Sequence, residues 1–368
     1  MTNFIMQMQP HFGKEEAKAL TQYMSEEGFL TEYKKTEIFE DMISAYTGSK
    51  HCIATTSGTM SLTMAALALG LNPGDEVIVP NYTMIATPNS IKLLGIKPIF
   101  VDVEPDTLCL DIEKVCTAIN DKTKGIILVS ANGRYPKSDI LDFKNLALER
   151  GLHFIEDAAQ SLGSFYPTGN HIGTVGEIGC FSFSTPKIIS TGQGGALVTD
   201  NDELAKKIRR LKDFGRGLGG NDFHETIGFN FKFTDLQAVV GIEQMKKLPS
   251  RLIRKKKIWQ LYAEKLETVD QITLFGHNLA HTTPWFIDAI VEDRTGLMKY
   301  LKEHKIGTRP MYPPINEQPA YKVSGIHSVS KEIGLNGLWF PSMIQISDEE
   351  IDYICKKIKI FYGSCKNF

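Results

Sequence analysis

Residues 179–199 read Gly179-Cys-Phe-Ser-Phe-Ser-Thr-Pro-Lys-Ile-Ile-Ser-Thr-Gly-Gln-Gly-Gly-Ala-Leu-Val-Thr199, and this stretch decides the fold. Its apolar flanks, Cys180–Phe183 and Ala196–Val198, predict two buried strands joined by a loop. Pro186 ends the first strand because it has no N–H to donate to a β-ladder. The three glycines that follow allow positive φ or the close approach of another group. Lys187 therefore sits in a confined loop, where burial would lower the pKa of its amine and make it a nucleophile able to form a Schiff base.

A solvated loop lysine is the simpler interpretation of Lys187, and a segment upstream argues against it. The apolar run His153–Asp157 predicts a strand that ends in two acids and is followed by small residues. An acid at the carboxyl end of a buried strand in an open α/β sheet is placed to face a ligand. Pyridoxal 5'-phosphate (PLP) needs a lysine for its aldehyde and an acid that keeps its ring nitrogen protonated. Lys187 and Asp157 together therefore predict a PLP site.

A phosphate site is predicted where the strand beginning at His51 turns into the helix Met60–Leu69. The corner consists of Ser57, Gly58 and Thr59. It would present free N–H groups and the positive end of a helix dipole to an anion. Plain capping of the helix by a hydroxyl side chain is the alternative. Beside the predicted lysine and acid, we favour phosphate binding.

The order of predicted elements indicates the fold class. Strands at Glu76–Pro80, Pro98–Asp102 and Ile126–Ala131 alternate with helices, which predicts an α/β fold with a mostly parallel central sheet and helices on both faces. After residue 200 come two helices, the second a long one capped by Thr234 with a break expected near Pro249, and then a short α+β segment. We expect a large domain over residues 1–247 and a smaller carboxyl-terminal α+β domain over residues 248–368.

Composition excludes several classes of protein. The 368 residues are 42% hydrophobic and 23% charged, with a net charge of −2, so neither a membrane protein nor a nucleic-acid-binding protein is expected. No signal peptide is expected at the amino terminus, and the six scattered cysteines indicate reduced thiols in the cytoplasm. We expect no metal site, because His277 and His281 lie in a loop without a zinc-binding pattern. The basic run Arg254–Lys257 is expected to be a solvated helix face.

The chain resembles the DegT/DnrJ/EryC1/StrS family of nucleotide-sugar aminotransferases in motifs that cover nearly its whole length. They are Thr56–Thr59, Gly74–Pro80, Glu156–Gln160, Phe181–Phe183 with Lys187, Gly192–Gly195, Gly228–Asn230 with Asp235–Ala238, and Thr308–Pro310 with Gln318–Tyr321. The resemblance implies a fold-type I, aspartate aminotransferase-like PLP enzyme. It also implies a homodimer with two shared active sites.

The same resemblance assigns roles to individual residues. Lys187 resembles the lysine that binds PLP covalently, and Asp157 resembles the partner of the ring nitrogen. Gln160 is similar to the residue near the phenolic oxygen of the ring. The phosphate cradle would be formed by Ser57, Gly58, Thr59 and Ser182, with Asn230 reaching the phosphate of the neighbouring subunit.

Three further residues are assigned less directly. Met84 stands where many relatives place an aromatic side chain over the ring, and a thioether can also pack on a ring face. Arg309 and Tyr321 lie in the substrate region of the family. The chain departs from the family's usual sequence at two places. Gln193 stands in place of a frequent glutamate. The loop Asn132–Pro136 differs from the usual Tyr-Gly-x-Pro sequence, and this difference leaves the sugar specificity open.

The expected reaction is transfer of the amino group of L-glutamate to the 4-keto carbon of an NDP-4-keto-6-deoxyhexose. The product would be a 4-amino-4,6-dideoxy sugar of the perosamine or viosamine type, used for a surface glycan such as the lipopolysaccharide O-antigen. Related 3-dehydratases carry a histidine in place of the lysine, so Lys187 favours transamination. The alternatives are a 3-keto sugar nucleotide or a small phosphorylated ketone as acceptor, and a PLP-binding regulator, which intact Lys187 and Asp157 disfavour.

Overall fold

The structure is a computed structural model that describes residues 4–26, 28–217 and 222–365. Its helices are α1 (Lys14–Ser25), α2 (Lys34–Thr47), α3 (Gly58–Ala68), α4 (Ala86–Lys92), α5 (Ile112–Ala118), α6 (Ile140–Arg150), α7 (Asp202–Lys212), α8 (Asp235–Leu266), α9 (Arg294–Glu303), α10 (Ser328–Asn336) and α11 (Asp348–Cys365). Its strands are β1 (His51–Thr55), β2 (Glu76–Pro80), β3 (Lys97–Val101), β4 (Thr123–Val129), β5 (His153–Asp157), β6 (Ile178–Ser182), β7 (Gly195–Thr199), β8 (Ile272–Leu274), β9 (Ile287–Val291), β10 (Arg309–Pro310) and β11 (Gly337–Phe340).

The central sheet has seven strands in the order β1-β7-β6-β5-β4-β2-β3. Only β7 is antiparallel to its neighbours, β1 and β6, whereas β6, β5, β4, β2 and β3 pair in parallel. The mostly parallel α/β sheet predicted from the sequence is therefore confirmed. Because parallel strands end at the same edge, the carboxyl ends of β5 and β6 deliver Asp157 and the Lys187 loop side by side.

A second sheet of four antiparallel strands, in the order β10-β11-β9-β8, forms a smaller unit near the carboxyl terminus. The hydrophobic core of this unit is formed by residues between 258 and 362. Ile5, near the amino terminus, joins this core and forms a single β-bridge with Ile306. Another buried cluster joins this unit to the central sheet through Trp285, Phe286 and Trp339. A domain boundary at residue 247 stays a prediction, and it falls inside the uninterrupted helix α8.

Two expectations about the long helix are wrong. No break occurs at Pro249, since α8 is one helix of 32 residues. A proline inside a helix removes one backbone hydrogen bond, but α8 packs against α1, α2 and α11 along its length, and this packing keeps it helical. The run Arg254–Lys257 is not a fully solvated face either, because Lys255 is buried.

Other differences are smaller. The polar and apolar residues from Lys14 to Glu27 predict a helix, which in the structure ends at Ser25, and Glu27 lies outside the described residues. Strand β4 ends at Val129 rather than Ala131 because the chain turns there in a short 3-10 segment. Strands β8, β10 and β11 have no counterpart in the sequence-based prediction, since each is short and is held by pairing with another strand. Helix α10 also has none, and its first turn is held by the distant carboxylate of Asp102, which accepts from the N–H groups of Val329 and Ser330.

The amino-terminal helices are fixed to α8 by one buried carboxylate, Asp235. Its oxygens accept hydrogen bonds from the N–H groups of Tyr33 (2.8 Å), Lys35 (3.0 Å) and Thr36 (2.9 Å). They also accept from the hydroxyls of Thr36 (2.8 Å) and Tyr23 (3.0 Å). A side chain at the start of α8 thus satisfies the free N–H groups at the start of α2.

We expect Asp235→Asn to lower the free energy of unfolding by about 3 kcal/mol, because an amide NH2 would then face backbone donors in a buried place. Urea unfolding followed by circular dichroism measures the change. Asp41→Asn, on the exposed side of α2, is the matched control and should change the stability by less than about 0.5 kcal/mol. Equal stability of the two variants would contradict the role given to Asp235.

Candidate active site

The loop between β6 and β7 is closed by its own backbone hydrogen bonds and holds Lys187 over an aromatic ring. The N–H of Lys187 donates to the carbonyl of Ser184 at 3.0 Å. Its Nζ lies 4.2 Å from the centroid of the Trp285 indole. The indole Nε1 donates to the carbonyl of Pro186 at 2.7 Å. The ring is therefore tied to the residue that precedes the lysine.

Burial lowers the pKa of Lys187 to about 8, while the negative charge of Asp157 acts in the opposite direction. The first effect is larger because the surrounding protein replaces the water that would solvate an ammonium ion. A larger fraction of the amine is therefore unprotonated near neutral pH than for an exposed lysine. This is the state needed for attack on a carbonyl group.

Asp157 ends β5 and is only 5% exposed. One of its oxygens accepts from the hydroxyl of Thr87 at 2.8 Å, and the other accepts from the N–H of Ala159 at 3.1 Å. Burial raises the pKa of Asp157, and these two hydrogen bonds and the charge of Lys187 oppose the rise. Within the described residues it has no ion-pair partner. A buried carboxylate in this situation fits a ligand that brings a cation, as the protonated ring nitrogen of PLP does.

The turn predicted at residues 57–59 exists and shows the simpler capping role, while phosphate binding there stays a prediction. The hydroxyl of Ser57 caps α3 by accepting from the N–H of Met60 at 3.2 Å. The N–H groups of Gly58 and Thr59 lie in the first turn, where a helix offers them no carbonyl. The cap and an anion site are therefore compatible.

Two glycines allow this corner to approach the Lys187 loop. A Cβ atom on Gly58 would lie 2.8 Å from the Cβ of Ser182, and one on Gly195 would lie 2.5 Å from the backbone carbon of Ser57. Any side chain at either position would force the segments apart. The close contact brings Ser182 beside the start of α3, as a phosphate cradle requires.

Gln160 connects the site to a strained loop. Its Oε1 accepts from the N–H of Asn132 at 2.6 Å. Asn132 is left-handed, with φ 55°, and its side chain binds both backbone groups of Phe286, at 2.9 and 2.6 Å. A small cavity is lined by Gln160 together with Ala159, Ser182, Lys187 and Trp285. Three of the predicted ring and phosphate residues, Gln160, Ser182 and Lys187, thus line one cavity, and the charge of Asp157 acts on Lys187 beside it.

The remaining predicted residues lie outside this cavity. Met84 is 45% exposed, and its sulfur accepts from the N–H of Ala86 at 3.0 Å. Asn230 is exposed, although its neighbour Phe231 accepts from the N–H of Thr56, just before the phosphate corner, at 3.2 Å.

The two predicted substrate residues are likewise outside the cavity. Arg309 is exposed and lies over the ring of Trp339, at 5.4 Å. The hydroxyl of Tyr321 donates to Asn89 at 2.7 Å.

Sequence reasoning missed three residues of the site. Thr87 orients Asp157, and Trp285 lies under Lys187. Burial raises the pKa of Tyr312 to about 12, with Arg309 opposing and Asp157 adding to the shift, so this ring lies near both charges. Thr83 and Thr87, whose hydroxyls are 3.1 Å apart at the start of α4, could have indicated a polar pair there, whereas nothing local marks Trp285 or Tyr312.

The fold, the lysine above an aromatic ring, the buried acid and the phosphate corner together define a fold-type I PLP-dependent enzyme. The chain belongs to the DegT/DnrJ/EryC1/StrS aminotransferase family, whose profile matches residues 10–359. Members of this family use PLP, and the described residues fit that cofactor. The chain is therefore a PLP-dependent aminotransferase.

Individual relatives and solved structures agree with this assignment. The chain is 33% identical to the GDP-perosamine synthase of Escherichia coli O157:H7, over 88% of this chain and 89% of that protein. It is 32% identical to the GDP-perosamine synthase of Caulobacter vibrioides, over 86% and 87% of the two chains. The aminotransferase TlmJ from Streptoalloteichus hindustanus has a similar structure, with a TM-score of 0.93, 26% identity and coverage of 99% and 100%.

A membrane-spanning helix or a metal site would indicate another class of protein, and the sequence predicts neither. In the described residues, no helix has the length and apolar character needed to span a bilayer. The same part of the chain holds no group of three or more His, Cys, Asp or Glu residues placed to bind a metal ion.

We expect Asp157→Asn to lower the pKa of Lys187 below about 8, because removal of the carboxylate charge leaves burial unopposed. The pH dependence of modification of Lys187 by an amine reagent in the cofactor-free protein, read by peptide mass spectrometry, gives the midpoint. Asp41→Asn is the control and should leave this midpoint in place. A higher midpoint in Asp157→Asn would show that the two groups do not interact as described.

Proposed function

We propose that this protein transfers the amino group of L-glutamate to the 4-keto carbon of an NDP-4-keto-6-deoxyhexose. The product is an NDP-4-amino-4,6-dideoxy sugar of the perosamine type. The observation that carries the proposal is the lysine and acid pair, Lys187 and Asp157, in a chain whose relatives over most of their length are named GDP-perosamine synthases. A histidine at position 187 would have favoured dehydration instead.

PLP, when bound, stores the amino group and withdraws electrons from the substrate carbon. Lys187 holds the cofactor and then takes and returns the proton at the substrate carbon that loses or gains nitrogen, for which a pKa of about 8 is well suited. Asp157 keeps the ring nitrogen protonated, and Thr87 keeps the carboxylate in position. Gln160 would hold the phenolic oxygen of the ring.

The phosphate is assigned to the start of α3. Ser57, Gly58 and Thr59 offer hydroxyl and N–H donors there, and Ser182 lies against them. Met84 would pack on the ring, which agrees with its partial exposure beside α4. These assignments explain why the start of α3 at Gly58 and the end of β6 at Ser182 come so close together.

The substrate residues are assigned to the side of the site that the smaller unit contributes. Arg309 presents a guanidinium group, which suits a carboxylate or a phosphate. It lies over Trp339, whose ring is 4.7 Å from that of Tyr312. Since Asp157 also acts on Tyr312, the cation and the acid both lie near this aromatic residue. Tyr321 would contact the sugar nucleotide.

The working form is proposed to be a homodimer with shared sites, located in the cytoplasm and serving surface-glycan (O-antigen) synthesis. Asn230 would reach the phosphate of the partner subunit. Its own segment supports this, because Phe223, Ile227 and Phe229 before it are exposed apolar residues, and Ile227 is 81% exposed. Clustered apolar side chains of this kind mark a surface that another protein covers.

We expect Lys187→Ala to lose the absorbance of covalently held cofactor and to lower turnover by about 10²- to 10⁴-fold, since its proton transfer is lost. Absorbance spectra and a glutamate half-reaction measure both effects. Lys144→Ala, which removes an exposed lysine of α6, is the control and should retain both. An unchanged half-reaction rate in Lys187→Ala would refute the assignment.

The acceptor is identified by incubating the enzyme and glutamate with 4-keto and 3-keto sugar nucleotides and a small phosphorylated ketone. Mass spectrometry should find the amino product with a 4-keto-6-deoxyhexose nucleotide. Amination of a 3-keto sugar or of the phosphorylated ketone alone would assign the alternative acceptor. Absence of any amino product, with PLP bound, would favour a binding protein without activity.

We expect a mixture of Lys187→Ala and Asn230→Ala subunits to be more active than either variant alone. In a shared-site dimer, one of the two sites of a mixed pair contains both intact residues. Activity is measured after the subunits have been exchanged, and each variant incubated with itself is the control. A mixed sample no more active than the average of the two would contradict the shared site.

A further inference from the structure

Helix α8 carries two buried cations beside the proposed active site, and neither takes part in the chemistry described above. Arg251 is 4% exposed and Lys255 is 5% exposed. They are four residues apart, one turn of helix, and thus on the same face. Neither forms an ion pair with a carboxylate within the described residues, and burial together with Arg251 lowers the pKa of Lys255 to about 7. Such burial is costly and calls for an explanation.

Each of these two side chains donates one hydrogen bond to the Lys187 loop or to Trp285 beside it, while other bonds go to Ser342, Gln244 and His11. Lys255 Nζ donates to the carbonyl of Trp285 at 2.6 Å and to that of Ser342 at 2.5 Å. Arg251 donates to the carbonyl of Ile188, the residue after Lys187, at 2.7 Å.

Gln244, on the same side of α8, completes the arrangement. Its Oε1 accepts from Arg251 at 2.5 Å and from the N–H of Ser190 at 3.2 Å. The indole of Trp285 in turn donates to the carbonyl of Pro186. The carbonyls on both sides of Lys187 are therefore held, directly or through Trp285, by α8.

We propose that Lys255, supported by Arg251, is a positioning residue: it fixes the indole of Trp285 beneath Lys187 and so sets the place and the hydration of the catalytic amine. Lys255 acts on Lys187 indirectly, because it contacts the backbone of Trp285 and not Lys187 itself. The same side chain also donates to Ser342, and it thereby connects the smaller unit with Trp285 and the Lys187 loop. This inference rests on the proposed role of Lys187.

A purely structural role for Lys255 predicts a different result. If the side chain of Lys255 only stabilised the chain near Ser342, its loss would lower the melting temperature and leave the pKa of Lys187 unchanged. If it positions Trp285, its loss also loosens the indole and admits water. The pKa of Lys187 then rises from about 8 towards the ordinary value of a lysine.

The test is Lys255→Met, which keeps most of the length of the side chain and removes its donors. We expect the midpoint for modification of Lys187 by an amine reagent, in the full chain without cofactor, to rise by at least one pH unit. We also expect kcat to fall by at least 10-fold, while KM for glutamate changes by less than about 3-fold. Lys255→Arg, which restores donors to both carbonyls, should recover most of each effect.

Lys212→Met is the matched control, because Lys212 is equally buried but donates to Glu40 and Ala54. It should lower the melting temperature without moving the midpoint of Lys187. If Lys255→Met does not fold, Trp285→Phe replaces it, since it removes the bond to Pro186 and shrinks the ring beside Lys187 Nζ, and it should shift the midpoint in the same direction. A midpoint unchanged in the folded variant would overturn the proposal, whatever the melting temperature.

These results are separable from a failure of the proposed function. If Lys187→Ala kept its activity, the assignment of the lysine would fail. If Lys187→Ala were inactive but the Lys255 variants behaved like the wild type in both midpoint and kcat, only the positioning role would fail.

Discussion

The structure depends on keeping one lysine amine next to a carboxylate in a place that excludes most water. Burial disfavours the charged form of each group, so the pKa of Lys187 falls while that of Asp157 rises. The chain accepts this cost at a point where three segments meet. Pro186 and Trp285 hold the lysine loop, and Thr87 holds the acid. A ligand that brings a cation to the acid and a carbonyl to the amine would offset much of the cost.

The topology of the sheet explains why these groups meet. Strands β5 and β6 are adjacent and parallel, so the acid and the lysine loop leave the sheet at the same edge. Strand β7 then returns antiparallel between β6 and β1, which places Gly195 against the turn that begins α3. The glycine is required by this contact rather than by its own φ angle. Ring and phosphate sites therefore arise from neighbouring strands.

Helix α8 connects the amino-terminal helices, the lysine loop and the smaller unit. At its first residue, Asp235 accepts the free N–H groups of α2. In its middle, Gln244 and Arg251 hold the chain around Lys187, and Lys255 reaches Trp285 and Ser342. One continuous helix thus passes from the large unit to the small one, which makes the site sensitive to how they are packed.

The sequence by itself determined the alternation of strands and helices, the acid at the end of β5 and the lysine in its loop, because each is a local pattern of a few residues. Tertiary structure decided the rest. Lys255 looked like part of a solvated basic run, yet distant carbonyls bury it, and Pro249 stays helical because neighbouring helices hold α8. Trp285 has the sequence surroundings of an ordinary core residue, but in the folded chain it contacts Lys187, 98 positions earlier. Contacts between residues so far apart in the chain leave no periodicity or spacing by which they could be recognised.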